Sequence, residues 1–303
     1  MYIYLPIAGL SIDVWWLLAI GCGVGVLSGM FGVGGGFLLT PLLIFLGVPP
    51  AVAVASGANQ VVGSSVSGLA AHWRRGNVDV RMGLFLMAGG LVGSGLGVLL
   101  FAWLQRLGHL DLAITLSYVL FLGVVGVLMT VESLRTMLAG RRKGTPRKRH
   151  RHRWQGLPYK TRFPRSGLYI SALLPLAVGA FGGVLSAIMG VGGGFVLVPL
   201  MIYVLEMPTS VVIGTSLFQV IFVTANVTFL QAISTHTVDV VLMLTLLLGG
   251  AVGAQYGSRL GARLKAEQLR ALLALIILGV GIKLAVDLVL TPDDLFLLAS
   301  PAH

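Results

Sequence analysis

The sequence predicts an all-α polytopic membrane protein, an inverted structural repeat of about five hydrophobic segments per half. Three observations predict it. Of 303 residues, 56% are hydrophobic and only 10% charged, with a mean hydropathy of +0.95; a soluble domain carries about 25% charged residues. One glycine-rich phrase occurs twice, as Ser28-Gly-Met-Phe-Gly-Val-Gly-Gly-Gly-Phe-Leu-Leu-Thr-Pro41 and Ser186-Ala-Ile-Met-Gly-Val-Gly-Gly-Gly-Phe-Val-Leu-Val-Pro199. Apolar runs flank each copy in the same order.

In the first half those runs cover 14–30, 37–48, 51–72, 82–104 and 112–134; in the second, 168–189, 195–205, 210–233, 240–260 and 269–290. Runs of roughly twenty apolar residues can cross a bilayer as helix. The second run of each set is only about a dozen residues, too short for a full span. It suits a short broken or re-entrant helix hairpin, because lipid-exposed irregular backbone is not tolerated and a break must be buried in protein or line a cavity. Residues 1–137 are therefore read as an N-terminal membrane repeat, 138–166 as a basic loop, 167–292 as a C-terminal inverted repeat and 293–303 as a short tail. Met1–Asp13 contains no Lys or Arg, so the beginning of the chain is not read as a signal peptide.

The duplication extends well beyond the glycines. Pro49 pairs with Pro208, Gln60 with Gln219, Asp79 with Asp239, and Gly89, Gly93 and Gly97 with Gly249, Gly253 and Gly257; two one-residue indels keep the register. An odd number of segments per half places the copies in opposite orientations, and charge tests this. Eleven of the 21 Lys and Arg residues lie between Arg141 and Arg165. With loop 138–166 in the cytoplasm, Arg74, Arg75 and Arg81 fall inside, while the equivalent loop around His236 falls outside and has no Lys or Arg. Arg259, Arg263, Lys265 and Arg270 also fall inside, and both termini lie outside. This pattern obeys the positive-inside rule. The expected setting is the inner or plasma membrane, with the basic loop near anionic headgroups. The net charge of +11 is thus a topology signal, and nucleic-acid binding is not expected.

Within the glycine phrases, Gly32, Gly34, Gly35 and Gly36, and Gly190, Gly192, Gly193 and Gly194, break a helix and start another. Such a turn frees backbone N–H groups at the positive end of a helix dipole, a natural anion site. Glycine also lets backbone approach a ligand closely. Close hairpin packing explains the glycines equally well in isolation; two copies at matching places in a repeat favour a binding site near the bilayer midplane. A phosphate-binding P-loop fails because no Lys-Ser/Thr follows.

Neutral polar residues cluster in the third segment of each half: Ser56, Asn59, Gln60, Ser64 and Ser65, and Thr215, Ser216, Gln219, Thr224 and Asn226. Ser56 and Gln60 share a helical face, as do Thr215 and Gln219. Ser56, Asn59, Gln60, Thr215, Ser216 and Gln219 are expected to contact a ligand. Interhelical hydrogen bonding, worth about 1 kcal/mol each, is expected for Ser64, Ser65 and Thr224. The stripes of Gly89, Gly93 and Gly97, and Gly249, Gly253, Gly257 and Gly261, predict close helix contact within the fold or at a homodimer seam. Asp79 and Asp239 stand at helix entries and read as N-caps. Lys283 and Asp287 are spaced to pair. No carboxylate falls near a predicted midplane, so an obvious coupling acid is missing. The single Cys22 excludes an internal disulfide, and no Cys/His cluster suggests a metal or cofactor.

The paired Gly-x-Gly-Gly-Gly-Phe-x-x-x-Pro motif, the duplication and the length resemble the TauE/SafE family of sulfite and sulfonate exporters, from about Trp15 to Leu290. Gly214-Thr215-Ser216 matches a Gly-Thr-Ser of that family, whereas the first half has Ala55-Ser56-Gly57. The resemblance implies a role in moving a small organic or sulfur-containing anion such as sulfite or sulfoacetate. With the inverted repeat, the expectation is a secondary transporter exporting it by alternating access, and not an enzyme, since Cys22 alone cannot supply a catalytic centre. Two alternatives stand beside it: a cation-coupled importer of a small anion, and a membrane partner handing a sulfur species to a soluble enzyme.

Overall fold

The structure, a computed structural model, describes residues 2–31, 34–138, 158–261 and 266–289. Gly32, the middle of the basic loop and the 293–303 tail lie outside these. Ten helices follow the ten apolar runs. In the first half they are α1 (Val14–Phe31), α2 (Gly36–Phe45), α3 (Pro50–Arg74), α4 (Val80–Arg106) and α5 (Leu110–Leu138). In the second they are α6 (Leu173–Met189), α7 (Gly194–Tyr203), α8 (Thr209–Ser234), α9 (Val240–Gly261) and α10 (Ala266–Val289). Six of them, α1, α4, α5, α8, α9 and α10, contain stretches long and apolar enough to cross a membrane. α3 has 25 residues, and its serines, Asn59 and Gln60 lower its hydropathy.

Local chemistry sets the boundaries. Prolines open α3 and α8, with Pro49 and Pro208 at their N-caps, where a missing N–H costs nothing. The Asp79 carboxylate caps α4 by accepting from the Met82 amide at 3.1 Å. The Asp239 carboxylate accepts from Val241 and Leu242 at 3.1 Å each. α2 and α7 have ten residues each, or about 15 Å of rise, half of a hydrocarbon core about 30 Å thick.

Two features depart from the sequence reading. A β-hairpin precedes each half, β1 (Tyr2–Leu5) with β2 (Leu10–Asp13) and β3 (Lys160–Phe163) with β4 (Leu168–Ser171), all antiparallel. Residues 168–171, included above in an apolar helical run, are strand. Leu5 and Phe163, equivalent in the repeat, are fully buried and seat the two hairpins on the helices. Lys283 does not pair with Asp287; its ammonium lies 3.7 Å over the Phe45 ring, a cation–π contact that keeps the charge partnered beside an apolar surface.

Helix packing exchanges the halves. α1 packs along α9 and α6 along α4. Gly21 meets Leu246 and Gly249, and Gly257 meets Val26, so α1 and α9 run in the same direction. Gly89 meets Leu176 and Gly97 meets Val184, so α4 and α6 do likewise. A Cβ on Gly93 would overlap the Ala180 carbonyl, and one on Gly253 the Cys22 carbonyl. Both glycine stripes are therefore used inside the fold, as backbone-to-backbone seams. α3 and α8 cross at the centre. Leu217 reaches Gly68, while Val220 and Thr224 meet the second glycine turn beside Val61, so these equivalent helices run antiparallel.

Candidate functional site

The two glycine turns touch. A Cβ on Gly36 would stand 2.9 Å from both the Gly190 carbonyl oxygen and Val191 Cα. Behind them the rings of Phe37 and Phe195, the residues after each glycine run, stack at 4.5 Å and 13°. Gly34, Gly35, Gly190, Gly192 and Gly193 all have φ between 67° and 89°, the left-handed region where only glycine is unstrained. This conformation turns the chain into the half-helices without a linker. Gly35 caps α2 and Gly193 caps α7, and neither helix receives a side-chain cap. Two uncapped N-termini, each equivalent to about half a positive charge, therefore converge in the middle of the fold.

One face of the turns is lined by the crossing helices. Gly34 and Gly192 both face Val61 and Val220; beside them stand the Ser65 hydroxyl, 3.5 Å from a Cβ placed on Gly34, and the Thr224 hydroxyl, 2.8 Å from one placed on Gly192. Ser65 and Thr224 are fully buried, and neither hydroxyl has a protein partner. This corrects the expectation that both serve interhelical hydrogen bonds. Ser64 departs from that expectation too: its hydroxyl donates to the Gly34 carbonyl of the turn and the Val61 carbonyl of its own helix, at 3.2 Å each.

The other expected site residues are distributed around this centre. Gln60 is turned into the α1/α9 seam, its Nε2 donating to the Gly21 carbonyl at 3.0 Å while Oε1 has no partner. Gln219 takes the equivalent place beside Gly90 of α4, and neither its Nε2 nor its Oε1 is paired although the residue is fully buried. The Asn59 Nδ2 is likewise buried and unpaired. Ser56 and Thr215 hold backbone: the Ser56 hydroxyl accepts from the Asp239 amide at 2.8 Å, and the Thr215 hydroxyl from the Asp79 amide at 3.0 Å. Ser216 bonds within its own helix, to the Ile213 carbonyl at 2.9 Å. Gly194 is the first residue of α7.

The second turn has an extra anchor. The carbonyl of Met189, the last residue of α6, accepts from the Tyr118 hydroxyl and, at 3.5 Å, from Thr40. Sequence reasoning assigned Ser65 and Thr224 to interhelical bonding and did not foresee the Phe37–Phe195 stack. The signal was present in the repeat: Ser65 and Thr224 are equivalent positions, each four residues after a valine facing a glycine turn.

Buried unpaired hydroxyls cost about 1–3 kcal/mol each, so Ser65 and Thr224 beside two bare helix N-termini mark a place able to engage a ligand's hydrogen-bonding groups. Among the described residues, no group of three or more His, Cys, Asp or Glu could hold a metal ion.

Comparison with known proteins finds relatives along most of the chain. The family described as "Sulfite exporter TauE/SafE" matches residues 17–284. The probable membrane transporter protein YjnA of Bacillus subtilis (strain 168) is 30% identical over 273 residues, covering 88% of this chain and 98% of that protein. A probable membrane transporter protein of Xylella fastidiosa (strain Temecula1 / ATCC 700964) is 32% identical over 212 residues, 67% of this chain and 69% of its own length. YunE of Bacillus subtilis, similarly named, is 24% identical over 282 residues, 88% and 96% of the two chains. No solved structure matches.

Proposed function

The chain belongs to the TauE/SafE sulfite exporter family and is a multi-pass membrane transporter, and on that premise we propose that it exports a small sulfur-containing or organic anion. The observation that carries this reading is the pair of abutting glycine turns with the unpartnered Ser65 and Thr224 hydroxyls beside them. The anion sits on the Gly34/Gly192 face of the turns, held by their backbone amides and the two hydroxyls. Gln60, Gln219 and Asn59 supply further donors as the seams open. Ser56 and Thr215 position the loops entering α9 and α4, and Ser216 shapes α8 behind the site.

Alternating access follows from the halves being an inverted pair in the membrane, a reading supported by the antiparallel course of α3 and α8. The turns are in contact, so admitting an anion between them requires one half to rock against the other. The direction has a physical argument. An inside-negative potential favours anion exit by about 2.3 kcal/mol per charge per 100 mV, so export needs no coupling acid. Under this reading the basic segment faces the cytoplasm.

The test is efflux from proteoliposomes under an imposed potential, with sulfite, sulfoacetate, taurine, thiosulfate and lactate as cargo. Potential-driven release of one anion class, lost in Ser65→Val with Thr224→Val, is the expected result. Release insensitive to both substitutions in folded protein would remove the turns from the pathway, and strict dependence on external Na⁺ or H⁺ for inward flux would reverse the direction.

A further inference from the structure

The corner where the β3–β4 hairpin meets the α3–α4 loop contains a cleft of about 370 Å³, lined by Trp73, Gly76, Val80, Arg81, Pro164 and Arg165 among others. Two arginines line it, one from the helix and one from the hairpin. Arg81, on the first turn of α4, donates Nη1 to the Arg162 carbonyl at 3.2 Å; Arg165, in the hairpin turn, donates Nη1 to the Gly76 carbonyl at 2.8 Å. A guanidinium has five N–H donors, so each keeps most of its donors after that bond. The one carboxylate on the cleft wall, Asp79, is buried and already accepts from the Ser166 amide at 2.9 Å, the Ser166 hydroxyl at 2.6 Å and the Met82 amide. It does not pair with either arginine.

The molecule contains its own control. The β1–β2 hairpin has the same Pro-x-x-Gly turn, Pro6 to Gly9 against Pro164 to Gly167. It docks on the equivalent aspartate, with the Ile7 amide donating to the Asp239 carboxylate at 3.0 Å. In that corner Ile7 stands where Arg165 does, Val241 where Arg81 does and Ile233 where Trp73 does. Hairpin docking therefore needs neither arginine. A bare topology signal would account for positive charge, but not for two arginines from different elements lining one cleft beside a half-exposed Trp73, a residue type enriched at the membrane–water boundary.

We propose that this cleft binds a tetrahedral oxyanion, either the phosphate of an anionic lipid headgroup or a free oxyanion of the same shape. Guanidinium forks match such oxygens in geometry and charge. Arg81 and Arg165 clamp the anion from two sides, and Trp73 sets the cleft at headgroup depth. Because the site lies outside the glycine turns, its occupancy does not depend on which anion is transported.

The experiment uses the full chain in nanodiscs. Phosphatidylglycerol is titrated into phosphatidylcholine discs and its retention read by native mass spectrometry; sodium sulfate is titrated separately into pure phosphatidylcholine discs. A saturable site is expected, about tenfold weaker in Arg81→Gln and in Arg165→Gln and weakened by added salt. Retention of phosphatidylglycerol that sulfate does not displace identifies the lipid; sulfate binding that excludes the lipid identifies the free oxyanion. If Arg165→Gln loosens the hairpin, the decisive variant is the transplant Ile7→Arg with Val241→Arg, which should add a second site. Non-saturable retention, or Arg81→Gln and the transplant both leaving the stoichiometry and affinity unchanged, overturns the proposal.

Discussion

The two halves share one plan and differ in how they finish it. Each places an aspartate at the helix entry of its fourth segment, lets it receive a hairpin amide, and ties its own amide to a hydroxyl of the opposite half's third helix. Each also lays a glycine stripe on a partner backbone. The finish diverges at Gln60, which is bonded to Gly21, against Gln219, which is bonded to nothing in the protein. It diverges again at the second turn, whose Met189 carbonyl is held by Tyr118 and Thr40. What repeats is what folding demands of both copies. What does not repeat is not required by both copies to fold, and the unpaired Gln219 is the clearest instance.

The largest effects should fall equally on both halves. Gly93→Ala and Gly253→Ala each drive a Cβ into a carbonyl of the facing helix, Ala180 or Cys22. Each should destabilise by about 3 kcal/mol, read as loss of monodisperse protein and a lowered melting temperature. Gly95→Ala, where a Cβ meets nothing within 4 Å, is the matched control and should be silent. A marked difference between Gly93→Ala and Gly253→Ala would break the equivalence of the two seams.

Next come the aspartates. Asp79→Ala and Asp239→Ala each remove three accepted hydrogen bonds at a site only 1% exposed, and each should cost about 2 kcal/mol. Ser166→Ala should weaken the second hairpin alone, because its counterpart in the first is Ala8. Proteolysis near residues 6–9 and 164–167 distinguishes which hairpin has come loose.

Much of this plan could be read from the chain. The helices, the half-length segments, the duplicated register and the capping role of Asp79 and Asp239 follow from apolar run length and repeat alignment. The hairpins could not, because four-residue strands are too short to impose a recognisable alternation. The rotational setting of the third helices was not legible in the same way. Pairing Ser56 with Gln60 chose a face that serves the α1/α9 seam, whereas the glycine turns lie against Val61, about 100° further round the helix. On that face lie Ser64, bonded to the Gly34 carbonyl, and the unpaired Ser65, whose repeat counterpart is Thr224. The missing information is rotational: sequence spacing groups residues on a face, but only packing says which face meets the turn.

The glutamines sharpen the comparison at a smaller scale. Gln60→Leu should lower stability by about 1 kcal/mol, since it leaves the Gly21 carbonyl without its donor. Gln219→Leu should be neutral or stabilising, because it replaces an unpaired buried amide with an apolar group of similar size, while reducing anion efflux. Stability measured by thermal unfolding and efflux measured in the same preparation separate the two effects. A Gln219→Leu protein that is less stable yet transports normally would make the asymmetry a packing difference.

The smallest expected effect concerns the anchor on the second turn. Tyr118 is fully buried, and its hydroxyl donates to the carbonyl of Met189, directly before Gly190. Tyr118→Phe keeps the ring and removes the donor, costing about 1 kcal/mol. Thr40 also reaches that carbonyl, at 3.5 Å, and its repeat counterpart Val198 has no hydroxyl. Thr40→Val therefore makes the two half-helices more alike, and the double variant removes the anchor entirely. If this anchor makes the second turn the fixed side of the site, the double variant should accelerate hydrogen exchange at Val191–Gly193 and leave that at Gly34–Gly36 unchanged. Equal acceleration at both turns would instead mean that they move as one unit through the Phe37–Phe195 stack and the Gly36–Gly190 contact.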